Sequence, residues 1–146
     1  MSLADLDLRN TQQLMDDVTA RISLSRGSAL LVLVDQPATT QRVLAVRRLD
    51  VPARQPEWSR DLSELLYDEM HALPIPPRDP HIRAVVVTVL AREGLVGWGR
   101  AEKTWARAWR YSNHNTDALD RDIIVVTEHG WASLWSHAGG TRPTAA

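Results

Sequence analysis

The chain has 146 residues, a formal net charge of −1 and an apolar fraction of 44%. Such a length suits one globular domain, and such a charge argues against a nucleic-acid coat protein or a polybasic membrane binder. Cysteine is absent, which excludes disulfide frameworks, thiol nucleophiles and cysteine-ligated zinc sites.

The first third of the chain predicts a helix followed by a β-hairpin. Asn10 and Gln13 have the spacing of a capping box, and apolar residues then recur at helical spacing, which predicts a helix from Thr11 to Leu24. The apolar run Ala29–Val34 predicts a buried strand, and Val43–Leu49 is its expected hairpin partner.

The middle of the chain predicts a second helix and a central strand. Ser59 is a suitable N-cap, apolar residues follow at helical spacing as far as Met70, and the proline-rich segment from Pro74 to Pro77 ends the helix. The β-branched segment Arg83–Ala91 is the strongest predicted strand, buried on both faces.

The last third predicts a short strand through Val96 and Trp98, a helix from Arg100 to Ser112 or Asn113, and a buried strand over Asp122–Thr127. The predicted order is therefore α-β-β-α-β-α-β. It predicts an α/β (α+β) fold in which a single mixed sheet is flanked by helices, over residues 1–137. We expect residues 138–146 to form a disordered tail.

This element order resembles the core of the cytidine-deaminase-like fold. The zinc signature of those enzymes, His-x-Glu followed by Pro-Cys-x-x-Cys, is missing from the chain. The resemblance therefore implies a shared topology without zinc deamination.

Three glycines, Gly94, Gly97 and Gly99, lie between a predicted strand and a predicted helix. Phosphate-binding loops occur at such places, because backbone N–H groups and a helix N-terminus favour an anion. The spacing matches neither the dinucleotide-binding nor the P-loop pattern. A turn at Gly94 and a glycine-rich start to the helix is the simpler interpretation, and we favour it.

The third predicted helix has two distinct faces. Trp105 and Trp109 share one with Ser112, and we interpret it as core. The other is basic, with Lys103, Arg107, Arg110 and His114 at helical spacing. The basic face could hold phosphates or nucleic acid, although a solvated surface explains it more simply.

Polar residues follow several predicted strands. Asp35, Glu93 and the pair Glu128-His129 each follow a predicted strand, so they could share one edge of the sheet. A carboxylate beside an imidazole can serve acid–base chemistry, and such a set could also bind a divalent metal. The simpler interpretation is a turn at His129-Gly130 with Glu128 as a surface charge.

Our leading hypothesis is a small binding or regulatory module for an anionic ligand or a protein partner. The competing hypothesis is a metal-dependent hydrolase or nuclease that uses Asp35, Glu93, Glu128 and His129. The sequence identifies no cofactor. Exposed tryptophans such as Trp58 or Trp135 could mark a homo-oligomer surface. The apolar runs are too short to span a membrane and the first residues do not resemble a signal peptide, so we expect a soluble cytoplasmic protein.

Overall fold

The computed structural model describes residues 3–54, 60–78 and 80–141. The described part of the chain begins with a 3₁₀ turn, Leu3–Leu6, and contains three α-helices and six strands. The helices are α1 (Thr11–Arg21), α2 (Arg60–Ala72) and α3 (Arg100–Ser112). The strands are β1 (Ser28–Asp35), β2 (Arg42–Pro52), β3 (Ala84–Ala91), β4 (Ala118–Thr127), β5 (Gly130–Ser133) and β6 (Gly139–Gly140).

The strands form one sheet in the order β2-β1-β3-β4-β5-β6. Only the central pair β3 and β4 is parallel, and every other neighbouring pair is antiparallel. The predicted fold class, a mixed sheet flanked by helices, is confirmed. The likeness to the cytidine-deaminase-like topology stays a prediction.

The sheet buries both of its faces. Alternate residues of β1 point to opposite sides, so Leu30, Val32 and Val34 pack in the cluster that includes α1, while Leu31 and Leu33 pack in the cluster that includes α2 and α3. β1 and β3 are buried along almost their whole length, as expected for central strands.

The two tryptophans of α3 are part of the core, as predicted. The Trp105 indole N–H donates to the carbonyl of Ala53 at 2.7 Å, and that of Trp109 donates to the hydroxyl of Thr88 at 2.7 Å. Both polar tips are therefore satisfied inside the core. These bonds join α3 to the end of β2 and to the middle of β3.

Four details of the predicted elements are wrong. α1 ends at Arg21, three residues before the predicted end at Leu24. β4 begins at Ala118, four residues before the predicted start at Asp122, because three polar residues and a register shift beside Arg121 conceal the strand pattern. Residues 96–98 form a loop rather than a strand. Gly139–Gly140, assigned to the disordered tail, pair with β5.

β6 depends on glycine because it passes very close to neighbouring side chains. A Cβ at Gly140 would overlap the indole nitrogen of Trp131 and the amide oxygen of Gln12. These two atoms hydrogen-bond each other at 2.6 Å, which ties β5 to α1. The absence of a side chain at Gly140 therefore leaves room for the hydrogen bond between Trp131 and Gln12.

Among the described segments, none of the helices has the length and apolar character needed to cross a bilayer. The predicted N-cap Ser59, the predicted interface residue Trp58 and the end of the predicted tail, residues 142–146, lie outside the described residues.

Candidate functional site

The loop between β3 and α3 is built around the guanidinium group of Arg92. Its Nη1 donates to the carbonyls of Glu93 and Leu95, both at 3.0 Å, and its Nη2 donates to the carbonyl of Gly97 at 2.9 Å. Nη2 also lies 3.0 Å from Oε1 of Glu102 in the first turn of α3. The predicted strand through Val96 and Trp98 does not form. The loop carbonyls are instead hydrogen-bonded by the Arg92 side chain.

Glu102 fixes the start of α3. Its Oε1 accepts the backbone N–H of Gly99 at 3.0 Å as well as the Arg92 guanidinium. The residue is only 2% exposed, so its charge is compensated inside the protein by Arg92 and by the helix N-terminus. Arg92 and Glu102 are thus a structural pair that shapes the loop.

Two of the three predicted loop glycines already donate to carboxylates of the chain. Gly94, at a φ of +103°, donates its N–H to both carboxylate oxygens of Glu128, at 3.1 and 3.2 Å. Gly99 donates to Glu102 as described above. Their N–H groups are therefore engaged within the chain. An external anion would have to use other donors of the same region.

Glu128 is held in its charged form. Its own backbone N–H and that of Gly94 lower the pKa of the Glu128 carboxyl, and His129 and Arg26 act in the same direction. The nearest imidazole nitrogen of His129 lies 3.6 Å from Oε1 of Glu128, beyond hydrogen-bond distance, and both side chains are exposed. The two side chains are neighbours without a hydrogen bond between them.

Asp35 does not lie with the other three predicted acid–base residues. β1 runs antiparallel to β3, so Asp35 at the end of β1 pairs with Ala84 at the start of β3, while Glu93 and Glu128 follow the ends of β3 and β4. The prediction of one shared edge is therefore wrong for Asp35. Its carboxylate instead accepts two hydrogen bonds from Arg83, at 3.0 and 2.9 Å, which lower the pKa of Asp35.

Two further residues of the predicted metal set, Glu93 and Glu128, have partners within the chain. Glu93 forms an exposed ion pair with Arg26. Within residues 3–54, 60–78 and 80–141, no group of three or more histidines and carboxylates is arranged to hold a metal ion.

The predicted basic face of α3 is present in part. Lys103, Arg107 and Arg110, which we call the basic stripe, are all exposed. His114 does not belong to it: the residue is buried, and its ring nitrogens lie 2.8 Å from the hydroxyl of Thr116 and 2.8 Å from the carboxylate of Asp120. His114 therefore ties the end of α3 to the start of β4.

A cleft of about 450 Å³ opens beside the first turn of α3. We call it the arginine cleft, because it is lined by Arg54, Arg92 and Arg100, together with Glu93, Gly99, Ala101 and Glu102. Arg54 follows β2 and was not singled out in the sequence. No local pattern links it to the glycine loop, and only the sheet order brings the two segments together.

A second cleft, of about 380 Å³, lies between α3 and β4 and is lined mostly by apolar side chains such as Trp109 and Leu134. At its margin the Arg121 guanidinium stacks on the Trp135 indole, 4.2 Å from the ring centroid. Asp122 holds this corner by accepting hydrogen bonds from Ser133 Oγ at 2.5 Å and from the N–H of Trp135 at 3.0 Å. Burial raises the pKa of the Asp122 carboxyl.

Comparison of the chain with protein-family models, with curated proteins and with solved structures gave no match.

Proposed function

We propose that this protein is a binding module for a small anionic ligand of the phosphate class, which occupies the arginine cleft. One observation carries the proposal. Two arginines, Arg54 and Arg100, line a cleft beside a helix N-terminus and have no ion-pair partner within the described residues. The remaining charged groups of the cleft are already compensated within the chain.

The charge balance of the cleft supports a ligand with few negative charges. Three arginines line it against two glutamates, a formal balance of +1. Arg92 is compensated by Glu102, and Glu93 by Arg26 outside the cleft, which leaves Arg54 and Arg100 available. These two arginines carry a charge of +2, which a single phosphate group of inorganic phosphate or a phosphate monoester, at about −1.5 to −2 near pH 7, would neutralise.

The geometry of the donors also favours phosphate. Arginine presents its N–H groups as a planar fork that can bind two oxygens of one phosphate. The first N–H groups of α3, at Arg100 and Ala101, have no acceptor within the helix, because the first turn of any helix lacks such acceptors. A volume of about 450 Å³ lies within the usual range for small-molecule sites, roughly 300 to 1,000 Å³.

Titration calorimetry with inorganic phosphate and phosphate monoesters tests this proposal. The informative variant is Arg54→Glu combined with Arg100→Glu. The matched control is Arg107→Glu combined with Arg110→Glu, which makes the same charge change farther along α3. We expect the first variant to lose binding, by about tenfold or more for two lost charge-assisted contacts, and the control to keep it. Loss of binding in the control alone, or no phosphate binding by the unaltered protein, would contradict the proposal.

The alternative proposal, a metal-dependent hydrolase or nuclease, now involves Glu128, His129 and Glu93 without Asp35. Its support is the position of these residues after the ends of β3 and β4, with His129 close to Glu128. Calorimetry with Mn²⁺ and Zn²⁺ tests it. Binding that is lost in the Glu128→Gln and His129→Ala variants would favour it over the phosphate-binding proposal.

We keep the cytoplasm as the proposed location, because the chain contains no cysteine that an oxidising compartment could use for disulfides.

A further inference from the structure

The outer surface of the α2–α3 layer is divided by charge. α2 exposes Glu64 and Asp68, and neither has an ion-pair partner within the described part of the chain. On α3, the basic stripe of Lys103, Arg107 and Arg110 is exposed and likewise has no ion-pair partner among the described residues. The anionic ligand proposed above would use Arg54 and Arg100, so the stripe has no role in that proposal.

A groove of about 510 Å³ lies between the two helices on the acidic side of this surface. We call it the tyrosine groove. Tyr67 and Tyr111 line it and are 43% and 59% exposed, and Glu64 and Asp68 lie beside them. Arg60 also lines it, so the charge of the groove is negative by one unit. Tyrosine is enriched in protein interfaces, and aromatic faces attract guanidinium groups.

The floor of the groove contains a polar group without a partner. Ser63 is only 5% exposed, and no described residue hydrogen-bonds its hydroxyl oxygen. Buried hydroxyls are nearly always hydrogen-bonded, because leaving one unpaired costs free energy. A donor or acceptor that reached into the groove from outside could satisfy it.

We propose that this surface is a homodimer interface, in which the basic stripe of each copy docks against the tyrosine groove of the other. A two-fold axis brings the same surface of both copies together, so an acidic half and a basic half on one surface become complementary to each other. Arginine side chains of the stripe then lie against Tyr67 and Tyr111 and next to Glu64 and Asp68. The charge pattern fixes the relative orientation, since rotating one copy by half a turn would oppose like charges.

This inference is independent of the anionic-ligand proposal because it uses different residues. The Arg54→Glu and Arg100→Glu changes should leave the dimer intact. Disrupting the basic stripe should leave phosphate binding in the arginine cleft intact.

The test uses two charge-reversed variants and sedimentation-velocity ultracentrifugation at low salt. One variant carries Glu64→Arg and Asp68→Arg, and the other carries Arg107→Glu and Arg110→Glu, with circular dichroism to verify that both fold. We expect the unaltered protein to sediment as a dimer that weakens with added salt, and each variant alone to sediment as a monomer.

Mixing the two variants is the decisive step. In the Glu64→Arg and Asp68→Arg variant both halves of the interface are basic, and in the Arg107→Glu and Arg110→Glu variant both halves are acidic. An equimolar mixture of the two variants should therefore form a heterodimer. A third chain that carries all four substitutions should form a homodimer again. A monomeric unaltered protein, variants that stay dimeric alone, or a mixture that stays monomeric would each overturn the proposal.

Discussion

The carboxylate of Glu102 lies 3.0 Å from the guanidinium of Arg92 and 3.0 Å from the backbone nitrogen of Gly99. One buried side chain thus joins the end of β3, the glycine loop and the first turn of α3. The shape of the arginine cleft depends on this contact, because both residues line it.

Replacing Glu102 by alanine should lower the free energy of unfolding by about 3 kcal/mol, because it leaves Arg92 without its anionic partner and Gly99 without an acceptor. Glu102→Gln retains an acceptor oxygen at the same place and should lose less. Urea unfolding of the two variants measures the difference. An alanine variant as stable as the unaltered protein would show that the ion pair and the cap do not hold the loop.

Glu93→Gln should strengthen phosphate binding. Glu93 is exposed and lines the arginine cleft, while its partner Arg26 does not line the cleft, so the Glu93 carboxylate still repels an anion bound there. An exposed charge interaction is worth about 0.2 to 1 kcal/mol, which corresponds to an increase in affinity of roughly 1.5- to fivefold. The Asp117→Gln variant removes an exposed acidic charge elsewhere and serves as the control in the same titration. Unchanged or weaker binding by Glu93→Gln would argue against a phosphate in this cleft.

Gly140→Ala should destabilise the protein by about 1 to 3 kcal/mol, because the new methyl group must displace the Trp131 indole or the Gln12 side chain. Gly97→Ala is the matched control, since a Cβ at Gly97 meets no atom within 4 Å. Urea unfolding followed by tryptophan fluorescence measures both. The close packing of β6 on β5 would be in doubt if the two variants were equally stable.

We expect Asp122 to make the free energy of unfolding depend on pH. Because burial raises the pKa of this carboxyl, the folded protein keeps a proton that the unfolded chain has already released at pH values between the two pKa values. The free energy of unfolding should therefore fall as the pH rises through that interval. Asp122→Asn cannot titrate, so its unfolding free energy should lack this fall.

The alanine variant at the same position separates the charge of Asp122 from its hydrogen bonds. Asp122 accepts bonds from Ser133, Ile123 and Trp135, and Asp122→Ala should lose about 2 to 3 kcal/mol through them. Asp122→Asn keeps the acceptor for the two N–H groups and should stay within about 1 kcal/mol of the unaltered protein. Equal losses of unfolding free energy in the alanine and asparagine variants would mean that the hydrogen bonds to Asp122 Oδ1 do not contribute to stability.

Local patterns were sufficient to predict most of the fold. The burial of β1 and β3 could be predicted from their apolar runs, and that of α3 from the spacing of its tryptophans. Hydrophobic periodicity and β-branched residues indicate local structure directly. The two-residue β6 has no such pattern. Its glycines are explained only by their contact with Trp131 and Gln12, which are distant in sequence.

The site was less predictable because it depends on the direction and order of the strands. Asp35 and Glu93 both follow apolar strands, and only the antiparallel pairing of β1 with β3 shows that they lie at opposite edges. Arg54 reaches the arginine cleft through the same long-range arrangement. Such pairings are set by packing between distant segments rather than by local spacing.

Amide chemical-shift mapping during a titration with inorganic phosphate is the most direct test of phosphate binding in the arginine cleft. We expect the largest shifts at the backbone amides of Arg100 and Ala101 and at the side-chain signals of Arg54. Shifts that cluster at Lys103, Arg107 and Arg110 instead, or no shifts in the arginine cleft, would contradict phosphate binding there.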